Sequence, residues 1–579
     1  MITSALLIVV ISLLAYVFYW ARDVNQTWKR RGVKHKKPVM FFGNLLENLF
    51  AKQEQKHISI LYADICNEFP DEPVIGFYNF TNPWLLVKDA EYIEKILIKD
   101  FVHFTDHGFA INEEKNPLDA QLFNMVGKRW RAFRYKLSPI FTSGKLKSMY
   151  EAMSDVGVDL DNVLQKSYKK ELDFKELMTH FAVDVVGSSV FGIEVKSLQN
   201  PNNKFCSLAT DLFTFGFFDT IKFIIMFVFP KLSIKLGVSF NNQNAVNYYS
   251  KVLKETFKYR EENKIERNDF VQLLLTLKEK KKIDIQNWDP SDDYLKDGEA
   301  PAELESYEIT EDVLMAQAYA FLVNGIDALA LSQVYALYEL SLKPDIQEKA
   351  QNEIREQIKL NNGITFTALK NMTYLEKIVK ETLRLHPAGG QLFRICNKDY
   401  VFPNGTVIKE GEFVVIPMCA VHLNPNYHPE PDVFKPERFD MPMKPGSYLT
   451  FGDGPRVCIE IDTIHQEVMR KKPKKSKGKS AEVNGKRETY EIVTDKIFQD
   501  TTELPKVSKS QNPSSSTKQS PTAKISKRKQ KAMCKMKNKA QEMLKNIDFY
   551  NQIISDTNYQ SDAMGVVTNA VQKKVYADL

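Results

Sequence analysis

The stretch Phe451-Gly452-Asp453-Gly454-Pro455-Arg456-Val457-Cys458 decides the fold. Two glycines and a proline within eight residues describe a turning loop, not a helix or a strand. The loop ends in a cysteine, with a cation, Arg456, two residues before it. Such a loop presents sulfur beside positive charge and exposed backbone N–H groups, and both favour thiolate over thiol. A thiolate is a strong donor ligand to haem iron. Alone, a cysteine in a glycine-rich loop is usually an ordinary turn, so the weight rests on what surrounds it.

Upstream lies Glu381-Thr382-Leu383-Arg384, on a candidate helix over 373–385 that Pro387 stops. Its Glu and Arg stand at i and i+3 on one face. Between that helix and the cysteine loop comes Pro436-Glu437-Arg438-Phe439. The three motifs, in this order, closely resemble the cytochrome P450 family. The resemblance covers roughly residues 1–459 and implies a mainly α fold with small β-sheets, an α+β arrangement. It implies haem b with Cys458 as axial ligand, in a loop to which Phe451, Gly454 and Arg456 belong. Glu381, Arg384 and Arg438 then form a structural charge network behind the loop. Trp130 and Arg134, spaced i and i+4 in Trp130-Arg131-Ala132-Phe133-Arg134, match residues that contact the haem propionates. Arg394 in Phe393-Arg394-Ile395 matches another propionate partner, and Arg456 has the charge and position to do the same. The long proline-free run 311–340 matches the helix that crosses the haem, with Gly325, Asp327 and Ala328 as its catalytic positions. Local phrasing at 142–146 and 338–349 is similar to microsomal insect detoxification enzymes.

Two departures from the family pattern stand out. Ala328 occupies a position that is usually Thr, and alanine has neither donor nor acceptor to help deliver protons. The expectation is weaker coupling of electron flow to product, with Asn324 a candidate holder of a water. The second departure is Glu460, where the family has Gly. A carboxylate beside a thiolate and an apolar haem face is unfavourable. Beyond it, residues 460–579 do not resemble the family and read as an unrelated Lys/Ser-rich, largely disordered tail. One amphipathic helix is expected there, over 538–555. Lysine clusters at 471–479 and 527–531 resemble nucleic-acid patches, but a solvated basic segment explains them better.

Composition agrees with one large domain. The chain has 579 residues, 43% hydrophobic and 26% charged, with net charge +6. The segment after Cys458 carries about ten more basic than acidic residues, so the main domain is near neutral. Six scattered cysteines form no CxxC pair, which fits a reducing compartment. Residues 1–21 are uncharged until Trp20 and apolar enough to span a bilayer. Residues 22–40 form a basic linker, and positive charge after the apolar run places the following domain, 41–459, on the cytosolic side. This predicts an anchor in the endoplasmic reticulum membrane. The Phe-rich run 211–230 reads equally as an apolar access lid or as a core helix.

Strands are expected at 73–79 and 84–88, and a helix over 345–359 capped by Asp345. A hairpin pattern spans 400–417, around Asn404-Gly405 and Glu410-Gly411. The implied reaction is reductive activation of dioxygen, with one oxygen atom inserted into a small apolar substrate. The implied partners are an NADPH-dependent P450 reductase, with cytochrome b5 a further candidate, and membrane lipid. The basic helix around Lys128, Arg129 and Arg131 is the candidate docking face for the reductase. The anchor argues against a nucleic-acid role. The alternative reading is a haem-less or catalytically impaired membrane protein, the product of a fusion or a mis-joined gene.

Overall fold

The helix Glu311–Ser341 is the element around which the chain is arranged. Its 31 residues reach about 46 Å. Thr310 caps it, its hydroxyl accepting from the Val313 N–H at 3.2 Å, and Glu311 and Asp312 oppose the positive end of its dipole. The structure, a computed structural model, describes residues 2–45, 56–109, 111–141, 143–167, 171–212, 217–239, 241–267, 269–284 and 306–459. The expectations for Glu460, for the tail 460–579 and for a helix over 538–555 fall outside those residues.

Two helices are long and apolar enough to cross a membrane, Thr3–Val24 and Glu311–Ser341. They differ in environment. The second is mostly buried and belongs to the core. It packs with Phe174–Val186, where Gly325 brings the two backbones close: a Cβ at that position would lie 3.2 Å from Val186. Leu314, Leu322 and Ile326 anchor the same helix in a core shared with Phe205, Tyr249, Leu253 and Phe270. The N-terminal helix, in contrast, is exposed almost throughout.

The strands form one four-stranded sheet and two separate two-stranded ones. The two expected strands form as β1 (Val74–Asn79) and β2 (Asn82–Val87), and they pair as an antiparallel hairpin. Two short strands, β3 (Lys282–Asp284) and β4 (Ser306–Glu308), pair separately. β5 (Gln391–Ile395) and β8 (Phe413–Pro417) complete a four-stranded sheet in the order β1-β2-β8-β5. The expected hairpin over 400–417 is only half realised. β6 (Tyr400–Val401) and β7 (Val407–Ile408) do pair around Asn404-Gly405. After Gly411, however, β8 leaves them and runs parallel to β2 and antiparallel to β5. Val414, Val415 and Ile416 are all buried, so the strand needs cover on both faces and takes a central place.

The capping expectation also changes. The helix after the long one begins at Pro344, with Lys343 in the cap position and no side-chain cap. Asp345 sits inside the first turn. Proline at the first helical position has its φ preset and no N–H to satisfy, so a side-chain cap is less needed there. The Phe-rich run divides into two helices, Phe217–Val228 and Pro230–Leu236. The 12 residues of the first are too few to span a bilayer.

Gln317, fully buried on the long helix, accepts from Leu122 N–H and donates to Ala120 O, both at 2.8 Å. Replacing it with Leu leaves two buried backbone groups unpaired. We expect Gln317→Leu to lower stability by about 2–4 kcal/mol, measured by denaturant unfolding.

Candidate active site

The cysteine loop is shaped by close approach. Gly454 has φ +69°, and a Cβ there would lie 1.9 Å from the Leu97 carbonyl oxygen. No other residue fits without moving the backbone. The Asp453 carboxylate accepts from Gly454 N–H at 2.8 Å, and Cys458 N–H donates to Phe451 O at 2.8 Å, closing the loop on itself. Cys458 is half-buried, and Phe451 stands beside it in the same partly open loop. The other described cysteines are poor ligand candidates. Burial pushes the thiols of Cys66 and Cys206 up to about 12 and that of Cys396 up to about 11.

Behind the loop lies the expected charge network. The Glu381 carboxylate, fully buried, accepts from Arg384 Nε at 2.8 Å and Nη2 at 2.9 Å. Arg438 Nε donates to both of its oxygens, at 3.0 and 3.1 Å, and Lys435 N–H adds a further bond at 2.9 Å. The remaining guanidinium donors reach carbonyls. Arg384 bonds His422 O at 2.8 Å, while Arg438 bonds Pro429 O at 2.8 Å and Glu430 O and Val433 O at 3.1 Å. A buried ion pair is stable only when its leftover lone pairs and protons are also satisfied, and here they are.

His422, which the sequence reading missed, carries this network to the loop. Leu449 N–H donates to its Nε2 at 2.9 Å, so its Nδ1 bears the proton and donates to Arg384 O at 3.0 Å. Burial, with His428 and Arg384 adding to it, pushes its pKa down to about 3. Nothing in the local sequence, Met418-Cys419-Ala420-Val421-His422, marks it for this part.

On the other side of the loop three arginines converge. Arg394, on β5, and Arg456 are both buried. The Arg456 guanidinium lies 4.1 Å over the Trp130 ring and contacts Asp106 at 3.2 Å, with further bonds to Thr105 O and Met125 O. Burial, then the charge of Arg394, lowers its pKa to about 9, and Arg134 pushes the same way. Burial lowers Arg394 to about 10, against the pull of Asp106. Nη1 of Arg394 reaches Phe393 O at 2.7 Å, but its buried Nε has no hydrogen-bond partner among the described residues. His107 is held well below the usual histidine range by burial and by Arg394 and Arg456. Among the described residues the cluster thus sets the buried Arg394 and Arg456 guanidiniums against the Asp106 carboxylate. It suits a ligand with anionic groups at this edge, and so fits the propionates of haem. Asp106 and His107 were not singled out from the sequence; a lone Thr-Asp-His in a loop carries no such signal.

The distal positions do not join this cluster. Gly325 faces Val186. Burial raises the Asp327 carboxyl, with Lys175 partly opposing. Ala328 offers only its carbonyl, which accepts from Ser332 Oγ at 2.5 Å. Asn324 is exposed and spends one amide N–H on Ala320 O at 2.8 Å. No group of three or more potential metal-ligating side chains occurs among the described residues.

Two outcomes follow from this geometry. Glu381→Ala leaves two guanidiniums without their counter-charge and should cost about 3–5 kcal/mol in unfolding experiments. His422 has a folded pKa far below its unfolded value of about 6.5, so between those values the unfolded chain binds more protons. Stability from this residue is therefore complete above pH ~6.5 and is lost as pH falls, by up to about 1.4 kcal/mol per pH unit. Denaturant unfolding from pH 8 to 4.5 should show a slope of that sign, and His422→Phe should make it shallower, while His57, His107, His180 and His428, also lowered by burial, keep their share. Asp119, raised by burial to about 6, works in the opposite direction and stays constant between the two proteins.

Comparison with known proteins completes the assignment. The family model described as Cytochrome P450 matches residues 33–459. The chain is similar to "Probable cytochrome P450 6a20" of Drosophila melanogaster, 32% identical over 79% of this chain and 89% of the relative. It is 35% identical to "Cytochrome P450 6a2" of the same fly, over 78% of this chain and 88% of the relative. It is also 35% identical to "Cytochrome P450 6d3" of Musca domestica, over 78% and 89%. The chain belongs to the cytochrome P450 family, the monooxygenases that use haem b held by an axial cysteine thiolate.

Proposed function

We propose that this chain oxidises small apolar molecules at the insect endoplasmic reticulum membrane, in a detoxification role, taking electrons from an NADPH-dependent P450 reductase. The observation that carries the site assignment is the excess of buried cationic charge beside the Cys458 loop, with Arg394 Nε unsatisfied. In this reading Cys458 ligates the iron, while Arg134, Arg394 and Arg456 hold the propionates and Trp130 backs Arg456. Glu381, Arg384 and Arg438 keep the loop in place. When bound, haem supplies dioxygen activation and oxygen-atom transfer.

The residues of the chain orient, shield and move protons. Asp327, its carboxyl raised by burial, holds a proton more readily at neutral pH than an exposed Asp and is the candidate proton carrier. Ala328 gives that proton no hydroxyl to cross. The helices Phe217–Val228 and Pro230–Leu236 serve as the apolar lid, with Phe227 stacked edge-on to Trp84 at 5.6 Å and Phe109 at 6.1 Å. Lys128, Arg129 and Arg131 remain the candidate docking face for the reductase, and cytochrome b5 a candidate second donor; Arg129 is paired with Glu113 at 2.7 Å. The exposed helix Ile2–Val24 supports single-pass anchoring.

The second reading, a haem-less protein, draws on the family match ending at residue 459, one residue beyond Cys458. A reduced, carbon-monoxide-bound difference spectrum of the full chain in membranes separates the two. A thiolate-type Soret band is expected; its absence with protein present would leave the haem-less reading. Given that band, Ala328→Thr should raise product formed per dioxygen consumed several-fold, with less peroxide. Equal product and dioxygen in the native protein would refute the uncoupling.

A further inference from the structure

The segment that reads as a basic linker is folded. The anchor helix ends at Val24, and only Asn25 and Gln26 separate it from the short helix Thr27–Arg30. Trp28 then plugs into the sheet. Its ring is fully buried against Gly76 of β1, where a Cβ would come within 2.5 Å of the ring. Its indole N–H donates to Phe77 O at 3.1 Å, and its backbone N–H donates to Tyr78 Oη at 3.1 Å. The Tyr78 hydroxyl in turn donates to Asn25 O at 3.0 Å, tying the turn after the anchor to the same strand.

Further contacts brace both sides. Arg30 pairs with Asp23, in the last turn of the anchor. Arg31 makes a bidentate pair with Glu412, at 2.7 and 2.8 Å, and lies 5.2 Å over the Trp28 ring. Gly76 N–H donates to Lys34 O at 2.8 Å, extending the sheet edge. Ala21, within the anchor, and Asn25 are both buried. A flexible tether would make none of these contacts.

We propose that anchor and catalytic domain form one rigid body through this joint, so that the bilayer meets the domain at one fixed angle; this rests on reading residues 2–24 as a membrane anchor. The anchor's 23 residues measure about 34 Å, close to the thickness of a hydrocarbon core. The joint therefore lies at the headgroup level with no slack. Exposed apolar side chains lie close to it in the chain, Val39, Phe41 and Phe42, on a turn whose Gly43 pairs with Asn79 of β1. The same hairpin bonds the lid, since Asn82 Nδ2 donates to Phe227 O at 2.7 Å. The exposed Phe229, Leu232 and Leu236 follow directly. The lipid surface is the partner these residues fit, and the joint holds them against it.

The test uses the full chain in phosphatidylcholine vesicles and nanodiscs, comparing the native protein with Gly76→Ala and Tyr78→Phe. The first variant drives a methyl group into the Trp28 ring; the second removes the Tyr78 bonds and leaves the sheet's packing intact. Trypsin should cut the native protein slowly at Lys29 to Lys34, and both variants at least about tenfold faster, because cleavage needs local opening. Images of the nanodisc-bound native chain should show one tilt, and of the variants a spread. Native cleavage as fast as that of Tyr78→Phe, or a broad native tilt, would overturn the joint. Failure of the native chain to float with vesicles would instead overturn the anchor reading.

Discussion

The Glu381 carboxylate is the constraint on which the rest of the structure depends. It is a fully buried charge, and it is tolerable only because two guanidiniums and a backbone N–H surround it. Those partners come from separate parts of the chain: the helix Thr373–Leu385 supplies Arg384 and the turn Pro436–Asp440 supplies Arg438. Satisfying one carboxylate thus fixes the distance between two segments more than fifty residues apart. His422 extends the constraint, since its carbonyl accepts from Arg384 Nη1 while its ring Nε2 accepts from the Leu449 N–H. Only then is the path of the chain into Phe451–Cys458 settled, and the Gly454 backbone can press against Leu97.

On the far side of the loop the opposite electrostatics hold. The network around Glu381 closes its hydrogen bonds internally, whereas the arginine cluster does not. Arg394 and Arg456 sit in low dielectric with depressed pKa values of about 10 and about 9. Proteins rarely accept such a charge without use for it, because desolvation is costly and Asp106 offsets only part. One network closes on itself behind the loop, and the other leaves the Arg394 Nε without a hydrogen-bond partner among the described residues.

The distal helix follows different rules. Its sequence is set mainly by packing, and Ala328 removes a polar group from a face where the family usually has one. The side chains around that position turn inward to their own helix, Ser332 to Ala328 O and Asn324 to Ala320 O. That stretch of the helix thus spends its polar side chains on its own backbone.

The family, the turns of the cysteine loop, the ion network and the long helix are legible in the sequence. Each of these rests on local spacing or on motif order, which survives without coordinates. Glu381 and Arg384 are three residues apart, and the Phe451–Cys458 loop declares its turns through its own glycines and proline. Long-range packing decides where β8 pairs, that His422 relays the network, that Arg456 meets Asp106, and that residues 25–35 are folded. These depend on what arrives from far along the chain. Glu412 meets Arg31 across 381 positions, and Arg456 meets Asp106 across 350. Periodicity and spacing carry no trace of such pairs, because burial and electrostatics are properties of the assembled core, not of the neighbouring sequence.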